Sequence, residues 1–174
     1  MKIARILSAG LLCLFTLTEG YSQKKLSLEK VTQEELQMSS YPADTTAGAV
    51  ILMDIGRLDG NTHIFTRKMR VKILTKAGLE WGNWTFNTPT SGEFRVVTYN
   101  LVDGKIVSEK ADSKSIHDEK VVDDYDVYKV FAPNVGVGSV FDMSYTHLGV
   151  PLEWRFQERR PIVASVLIVE DTDY

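Results

Sequence analysis

Thr62-His63-Ile64-Phe65-Thr66-Arg67-Lys68-Met69-Arg70-Val71-Lys72-Ile73-Leu74-Thr75 holds the longest regular alternation in the chain. Phe65, Met69, Val71 and Ile73 fall on one side and Lys68, Arg70 and Lys72 on the other, a period of 2 that specifies a long, half-buried strand. Just upstream, the apolar run from Ala49 to Ile55 ends at Gly56, and Asp59-Gly60 marks a hairpin turn into the alternating segment. Downstream, Lys76-Ala77-Gly78 turns the chain again. Leu79 to Phe86 follows as an aromatic-rich strand candidate that carries Trp81 and Trp84.

The same pattern continues to the end. Glu93 to Val102 sets Phe94, Val96 and Thr98 against Arg95, Val97, Tyr99 and Leu101, and a second Asp-Gly pair, Asp103-Gly104, leads into Lys105 to Ser108. An acidic, poorly patterned stretch precedes Tyr125 to Phe131, a strand stopped by Pro133-Asn134. Gly138 to Leu148, Trp154 to Gln157 and Ile162 to Val169 complete the series. Thr32 and Glu35 have the spacing of a capping box and predict one or two helical turns over Gln33 to Met38. About eight to ten short strands with almost no helix predict an all-β fold, an antiparallel β-sandwich with at most one short helix. Phe65, Met69, Val71, Ile73, Val140, Val166 and Ile168 are the expected core.

The N-terminus has a different composition. Lys2 and Arg5 precede an uncharged, largely apolar run of 12 residues from Ile6 to Leu17, and Thr18 to Gln23 is small and polar. This is the three-part shape of a secretory signal, too short for a spanning helix, which needs roughly 20 apolar residues. Residues 1–22 are therefore expected to be a signal peptide and residues 23–174 a single β-sandwich domain, exported to the periplasm or secreted, with no membrane span after cleavage. The chain stops at Asp171-Thr172-Asp173-Tyr174, soon after an apolar strand, which points to the N-terminal part of a longer polypeptide.

Charge and cysteine content narrow the function. The 174 residues carry 20 basic and 23 acidic side chains, a net charge of -3, and without Lys2, Arg5 and Glu19 the balance is -4. No basic stripe remains, so nucleic acid is not an expected partner. Cys13 is the only cysteine and lies in the signal, so the exported part has no disulfide, thiolate metal site or cysteine nucleophile. His63, His117 and His147 have no local ligand spacing. No Gly-x-Ser-x-Gly is present, and Asn134 to Ser139 lacks the Lys-Ser/Thr pair and following helix of a phosphate loop. The sequence therefore nominates no catalytic residue, no metal ligand and no cofactor.

Weaker features remain. Asp118, Glu119, Asp123, Asp124 and Asp126 lack the order of a calcium loop and read as a solvated loop. Asp123, Asp124 and Asp126, with Pro133, Asn134, Gly136 and Gly138 of the next turn, are candidate interaction loops. Trp81 and Trp84 are a candidate aromatic platform, although residues three apart on a regular strand face opposite ways. Asn83-Trp84-Thr85 is formally a glycosylation sequon. Glu93, Glu109, Glu153 and Glu158 are the carboxylates a paired-acid hydrolase would draw on.

Taken in order, a set of landmarks resembles a known family. They are Glu34-Glu35-Leu36, Tyr41-Pro42, Ala49-Val50-Ile51-Leu52, Arg70-Val71-Lys72-Ile73-Leu74, Gly78-Leu79, and Tyr99-Asn100-Leu101 ahead of Gly104-Lys105. Pro133-Asn134-Val135, Gly138-Ser139-Val140, Tyr145, Trp154-Arg155-Phe156-Gln157 and Arg160-Pro161-Ile162 complete the series. From about Val31 onward the chain resembles domain of unknown function 3857, a module of exported bacterial proteins that stands ahead of a transglutaminase-like domain. The resemblance implies a β-sandwich without catalytic residues of its own. It implies as partners a transglutaminase-like or peptidase-like domain downstream in the same polypeptide and a cell-envelope peptide or glycan. Two other readings stay open: a free-standing glycan-binding module, marked by an exposed Trp81 or Trp84 over a polar groove, and a carboxylate-dependent hydrolase, marked by two converging glutamates. N-terminal sequencing of exported material is expected to start at Tyr21 or Gln23, and retention of Met1 to Leu17 would contradict the signal assignment.

Overall fold

The computed structural model describes residues 27–88, 93–112, 116–122, 125–151, 153–157 and 160–170. The expected signal peptide, residues 1–22, lies outside them, as do Asp123 and Asp124. In chain order the elements are α1 (Gln33–Gln37), β1 (Ala49–Asp59), β2 (Ile64–Ile73), a 3₁₀ helix (Lys76–Gly82), β3 (Asn83–Thr88) and β4 (Glu93–Val102). There follow β5 (Lys105–Lys110), β6 (Ile116–Val122), β7 (Tyr125–Phe131), β8 (Val140–Leu148) and β9 (Ser165–Glu170). A six-stranded sheet in the order β5-β4-β8-β2-β1-β9 faces a three-stranded sheet in the order β3-β7-β6, so the fold is an all-β sandwich. Among the described residues no helix is long and apolar enough to cross a membrane.

The alternating segment becomes β2, hydrogen-bonded to β1 on one side and β8 on the other. Its inward side chains Phe65, Met69, Val71 and Ile73 are each exposed by 1% or less. Ala49, Ile51, Val96, Phe141 and Met143 join them on the large sheet, and Tyr128 and Val130 meet them from β7. Both Asp-Gly pairs turn hairpins. Asp59 accepts hydrogen bonds from the backbone of Asn61 and Thr62, and Asp103 and Gly104 take φ of 49° and 73°, the left-handed pair of a two-residue hairpin.

Several elements differ from the sequence reading. Residues 79–82 are 3₁₀ helix rather than strand, because the turn is drawn tight against β1: a Cβ on Gly78 would lie 2.0 Å from the Gly48 carbonyl, which accepts from Leu74 and Thr75. This 3₁₀ helix is a second short helical element beside the single one expected. The acidic stretch is not loop throughout, since Asp118 and Glu119 lie in β6 and Asp126 in β7, paired as an antiparallel hairpin. Trp154 to Gln157 form no strand. The last strand, β9, pairs parallel with β1, a crossover that the long β8–β9 connection makes possible. As an edge strand it leaves Val166 and Ile168 half-buried rather than in the core.

The outer face of β2 is also covered, although its charges mark it as solvent-facing. The capping box forms as expected, with Thr32 Oγ1 accepting from the Glu35 backbone and the Glu35 carboxylate accepting from Thr32. It seats α1 so that Leu36 and Val31 pack on Val140, which is buried on this outer face and not between the sheets. Arg70, 4% exposed, donates to both oxygens of Asp142 at 2.7 and 2.8 Å, to Glu35 at 3.0 Å and to the Glu29 carbonyl at 2.6 Å. Lys72 is fully buried and donates to the carbonyls of Leu36 and Gly138, each at 2.6 Å. Burial pushes the Lys72 ammonium down to about 8, against the opposing charge of Glu35. An unfolded chain holds that proton up to about 10.5, so between these values the unfolded state binds more protons and stability rises with pH. Urea midpoints measured from pH 7.5 to 10 should therefore rise for the wild type relative to Lys72→Met, and parallel profiles would contradict a buried, titrating Lys72.

Candidate functional site

Six strands face three, so the small sheet does not span the full width of the large one. Beside the edge strand β3, a cleft of about 510 Å3 opens. Ile51 of β1, Arg67 of β2 and Tyr145 of β8 form its floor. Asn83, Trp84 and Thr85 of β3 form one wall, and Arg160 of the β8–β9 connection lies across it.

The floor is built around a buried ion pair. Arg67 is on the same face as Phe65 and Met69, and its guanidinium grips Asp54 with two hydrogen bonds of 2.8 and 2.6 Å. The Asp54 side chain is wholly buried and that of Arg67 is 21% exposed. Asp54 reaches this face because a β-bulge between Ile51 and Met53 shifts the register, so Asp54 lies opposite Met69 instead of pointing away with Val50. Burial opposes the Arg67 charge, but the hydrogen bonds and charge of Asp54 outweigh it and hold the guanidinium protonated above its ordinary value. Burial raises the Tyr145 hydroxyl, with Arg67 pulling the other way. Trp154 lies over Arg67, 4.9 Å from guanidinium carbon to ring centroid. It can do so because residue 56 is glycine, where a Cβ would come within 2.6 Å of the indole.

Arg160 is held by a pinned connection. The Gln157 amide accepts from the Ile162 backbone at 3.0 Å and donates to its carbonyl at 3.3 Å, closing the turn between them. On the β1 side, Ile51 donates to the Pro161 carbonyl and accepts from Val163, at 3.0 and 2.8 Å. The Arg160 guanidinium then lies 4.9 Å from the Trp81 ring centroid and 5.1 Å from that of Trp84. Among the described residues it makes no ion pair. Trp81 and Trp84 thus converge on one cation, which corrects the expectation that they face opposite ways. Trp81 belongs to the 3₁₀ helix and only Trp84 to β3, so strand alternation does not apply across them.

The loop candidates have other geometry. Asn134, at φ 45°, donates to Glu109 of β5, and its carbonyl accepts from Asn100 of β4 at 3.1 Å. Ser139 accepts from the Gly136 backbone at 2.8 Å and donates to Asn100. Gly138, at φ 91°, supplies the carbonyl that Lys72 bonds. The turn from Pro133 to Ser139 is therefore tied to β4, β5 and β2. Of the acidic candidates, Asp126 is placed in β7 opposite Lys120 and Thr88, and Asp123 and Asp124 lie outside the described residues. Glu93 lies near Arg95, Glu109 accepts from Asn134 and Glu153 pairs with Arg155, so these three do not converge; Glu158 lies outside the described residues. No three His, Cys, Asp or Glu side chains gather among the described residues.

Asp54, Arg67, Tyr145 and Arg160 were not nominated as site residues from sequence. Two signals in the sequence mark Asp54 and Arg67, a carboxylate within the Ala49 to Ile55 apolar run and an arginine on the apolar side of the β2 alternation, whereas Tyr145 and Arg160 stand only among the landmarks of the resemblance.

No family model and no curated protein matches the chain. Among solved structures it is similar to a candidate protease from Parabacteroides distasonis, with 11% identity and a TM-score of 0.43 over 59% of this chain and 24% of that one. The chain thus spans about a quarter of that protein's length, and a likeness of this degree carries no functional argument.

The ion pair in the cleft floor is open to direct test. Asp54→Ala strands the Arg67 guanidinium in a largely buried place and should lower the unfolding free energy by about 3 kcal/mol in urea titrations. A loss below 1 kcal/mol would mean that Arg67 reaches water instead.

Proposed function

We propose that the chain is an exported, non-catalytic binding module of the type that domain of unknown function 3857 represents. Its place is beside a transglutaminase-like or other downstream domain acting on cell-envelope peptides, and the inter-sheet cleft is its binding surface. The observation that carries this reading is Arg160, a cation stacked on Trp81 and Trp84 at a concave, mixed-polarity site and bound to no carboxylate among the described residues. The polar side chains of the β3 wall, Asn83 and Thr85, suit hydrogen bonding to a ligand.

A glycan platform needs an open indole face, and here a guanidinium lies over both candidate rings. That favours a peptide over a sugar. A paired-acid hydrolase needs two carboxylates in the cleft; none is among its described lining residues, and Asp54, buried beneath them, is engaged by Arg67.

The test is titration of the purified chain with soluble peptidoglycan fragments, followed by tryptophan fluorescence and calorimetry. Saturable binding with a changed indole signal is expected, without turnover of ester, amide or glutaminyl substrates. Turnover that disappears on one Ser or Glu substitution would overturn the non-catalytic reading, and absence of binding would overturn the cleft's role.

A further inference from the structure

We infer that the cleft is a receptor for the free carboxylate of a short peptide, with Arg160 as the anchor. This rests on the cleft being the binding surface and adds what it selects.

The charge balance of the site sets the ligand's charge. Two guanidiniums and one carboxylate meet there, and Arg67 and Asp54 cancel each other through two short hydrogen bonds. One positive charge remains, that of Arg160, and it has no ion-pair partner among the described residues. A single net charge in a partly enclosed place matches a monoanion. A phosphate dianion would bring a second charge with no second free cation to meet it among the lining residues.

The geometry sets the ligand's shape. Stacking over Trp81 and Trp84 restrains the Arg160 side chain while leaving the guanidinium's N–H groups able to donate, and the planar fork fits the two oxygens of a carboxylate. The restraint comes before binding, because Gln157 closes the turn on Ile162 and Ile51 holds Pro161, so little ordering cost is left for the complex. The same chain already shows this recognition twice, in the two-oxygen grips of Arg67 on Asp54 and Arg70 on Asp142. Arg160 has no such carboxylate among the described residues, and the ligand's carboxylate takes that place.

The remaining volume sets the ligand's size. A cleft of about 510 Å3 is far larger than a carboxylate requires, and the rings of Tyr145 and Trp84 offer apolar surface beside it while Asn83 and Thr85 offer hydrogen bonds. A peptide end meets both demands, placing its carboxylate on Arg160, its small side chains against the Trp84 and Tyr145 rings and its amides against the β3 wall.

The experiment is calorimetric titration of the full chain with N-acetyl-Ala-Ala as free acid, with the corresponding C-terminal amide, with N-acetyl-Ala-Asp-amide and with inorganic phosphate. The free acid should bind at least about tenfold more tightly than the amide, as expected for a charge-assisted, two-point hydrogen bond in place of a neutral one. Arg160→Met, which keeps an apolar cover over the indoles, should remove that preference, Arg160→Lys should retain part of it, and Arg95→Met, an exposed charge on β4, should leave it intact. Thermal melts of each variant separate lost affinity from lost fold. Equal binding of acid and amide, tighter binding of phosphate, or a folded Arg160→Met that still prefers the acid would each overturn the inference. Tighter binding of the aspartyl amide would overturn the terminal source while keeping the carboxylate anchor. If soluble peptidoglycan fragments bind and none of these peptides does, the carboxylate inference falls and the binding-module reading stands; if nothing binds, both fall.

Discussion

A charge taken out of water has to meet its counter-charge or its hydrogen bonds within the protein, and β2 carries three cations under that constraint. Arg67 points between the sheets, while Arg70 and Lys72 point outward beneath the N-terminal segment. An unpaired ammonium or guanidinium in such a place costs several kcal/mol. Each therefore draws distant parts of the chain to itself: Asp54 across the β1–β2 pair, Asp142 from β8, Glu35 and the Leu36 carbonyl from α1, and Gly138 from the turn before β8. The apolar core makes the strands collapse, and the cations restrict which segments cover which face. Such pairs add less to stability than to the choice of one arrangement over others, because an alternative register would strand a charge.

The same constraint shapes the cleft. With Arg67 neutralised, its guanidinium serves as floor and as a seat for Trp154, and its charge is spent within the fold. Arg160 also lies against indoles, but it has no carboxylate partner among the described residues. A cation–π contact offsets part of the cost of partial burial without satisfying the N–H groups, so the side chain is held in place and remains able to bind. Two arginines in one cleft thus have separate roles, set by what stands next to each.

The landmarks behind the family resemblance have physical reasons here. Pro133-Asn134 and Gly138-Ser139 build the turn that bonds Asn100, Glu109 and Lys72, with Asn134 and Gly138 in left-handed conformations. Trp154 and Gln157 lie in the connection between β8 and β9, one packed over Gly56 and the other tied to Ile162. Arg160-Pro161-Ile162 follows at the point where that connection touches β1. In the cleft these residues hold the connection that carries Arg160 in place.

Local pattern was enough to read most of the strands, both Asp-Gly hairpins, the capping box and the inward face of β2. Period-2 alternation, turn residues that accept positive φ and a side chain that caps its own helix act over a few residues, so a single chain carries them. It was not enough for the parallel β9, whose partner is more than 100 residues away, or for the burial of Arg70 and Lys72 beneath α1, since a charged alternation looks the same under solvent as under a covering segment. The bulge that turns Asp54 inward reverses the side-chain parity without any mark in the composition. Trp81, Trp84 and Arg160 meet only because a 3₁₀ helix, an edge strand and a distant connection converge. Most of the secondary structure was local and therefore legible; the candidate site is a meeting of residues far apart in the chain, and tertiary packing alone decided it.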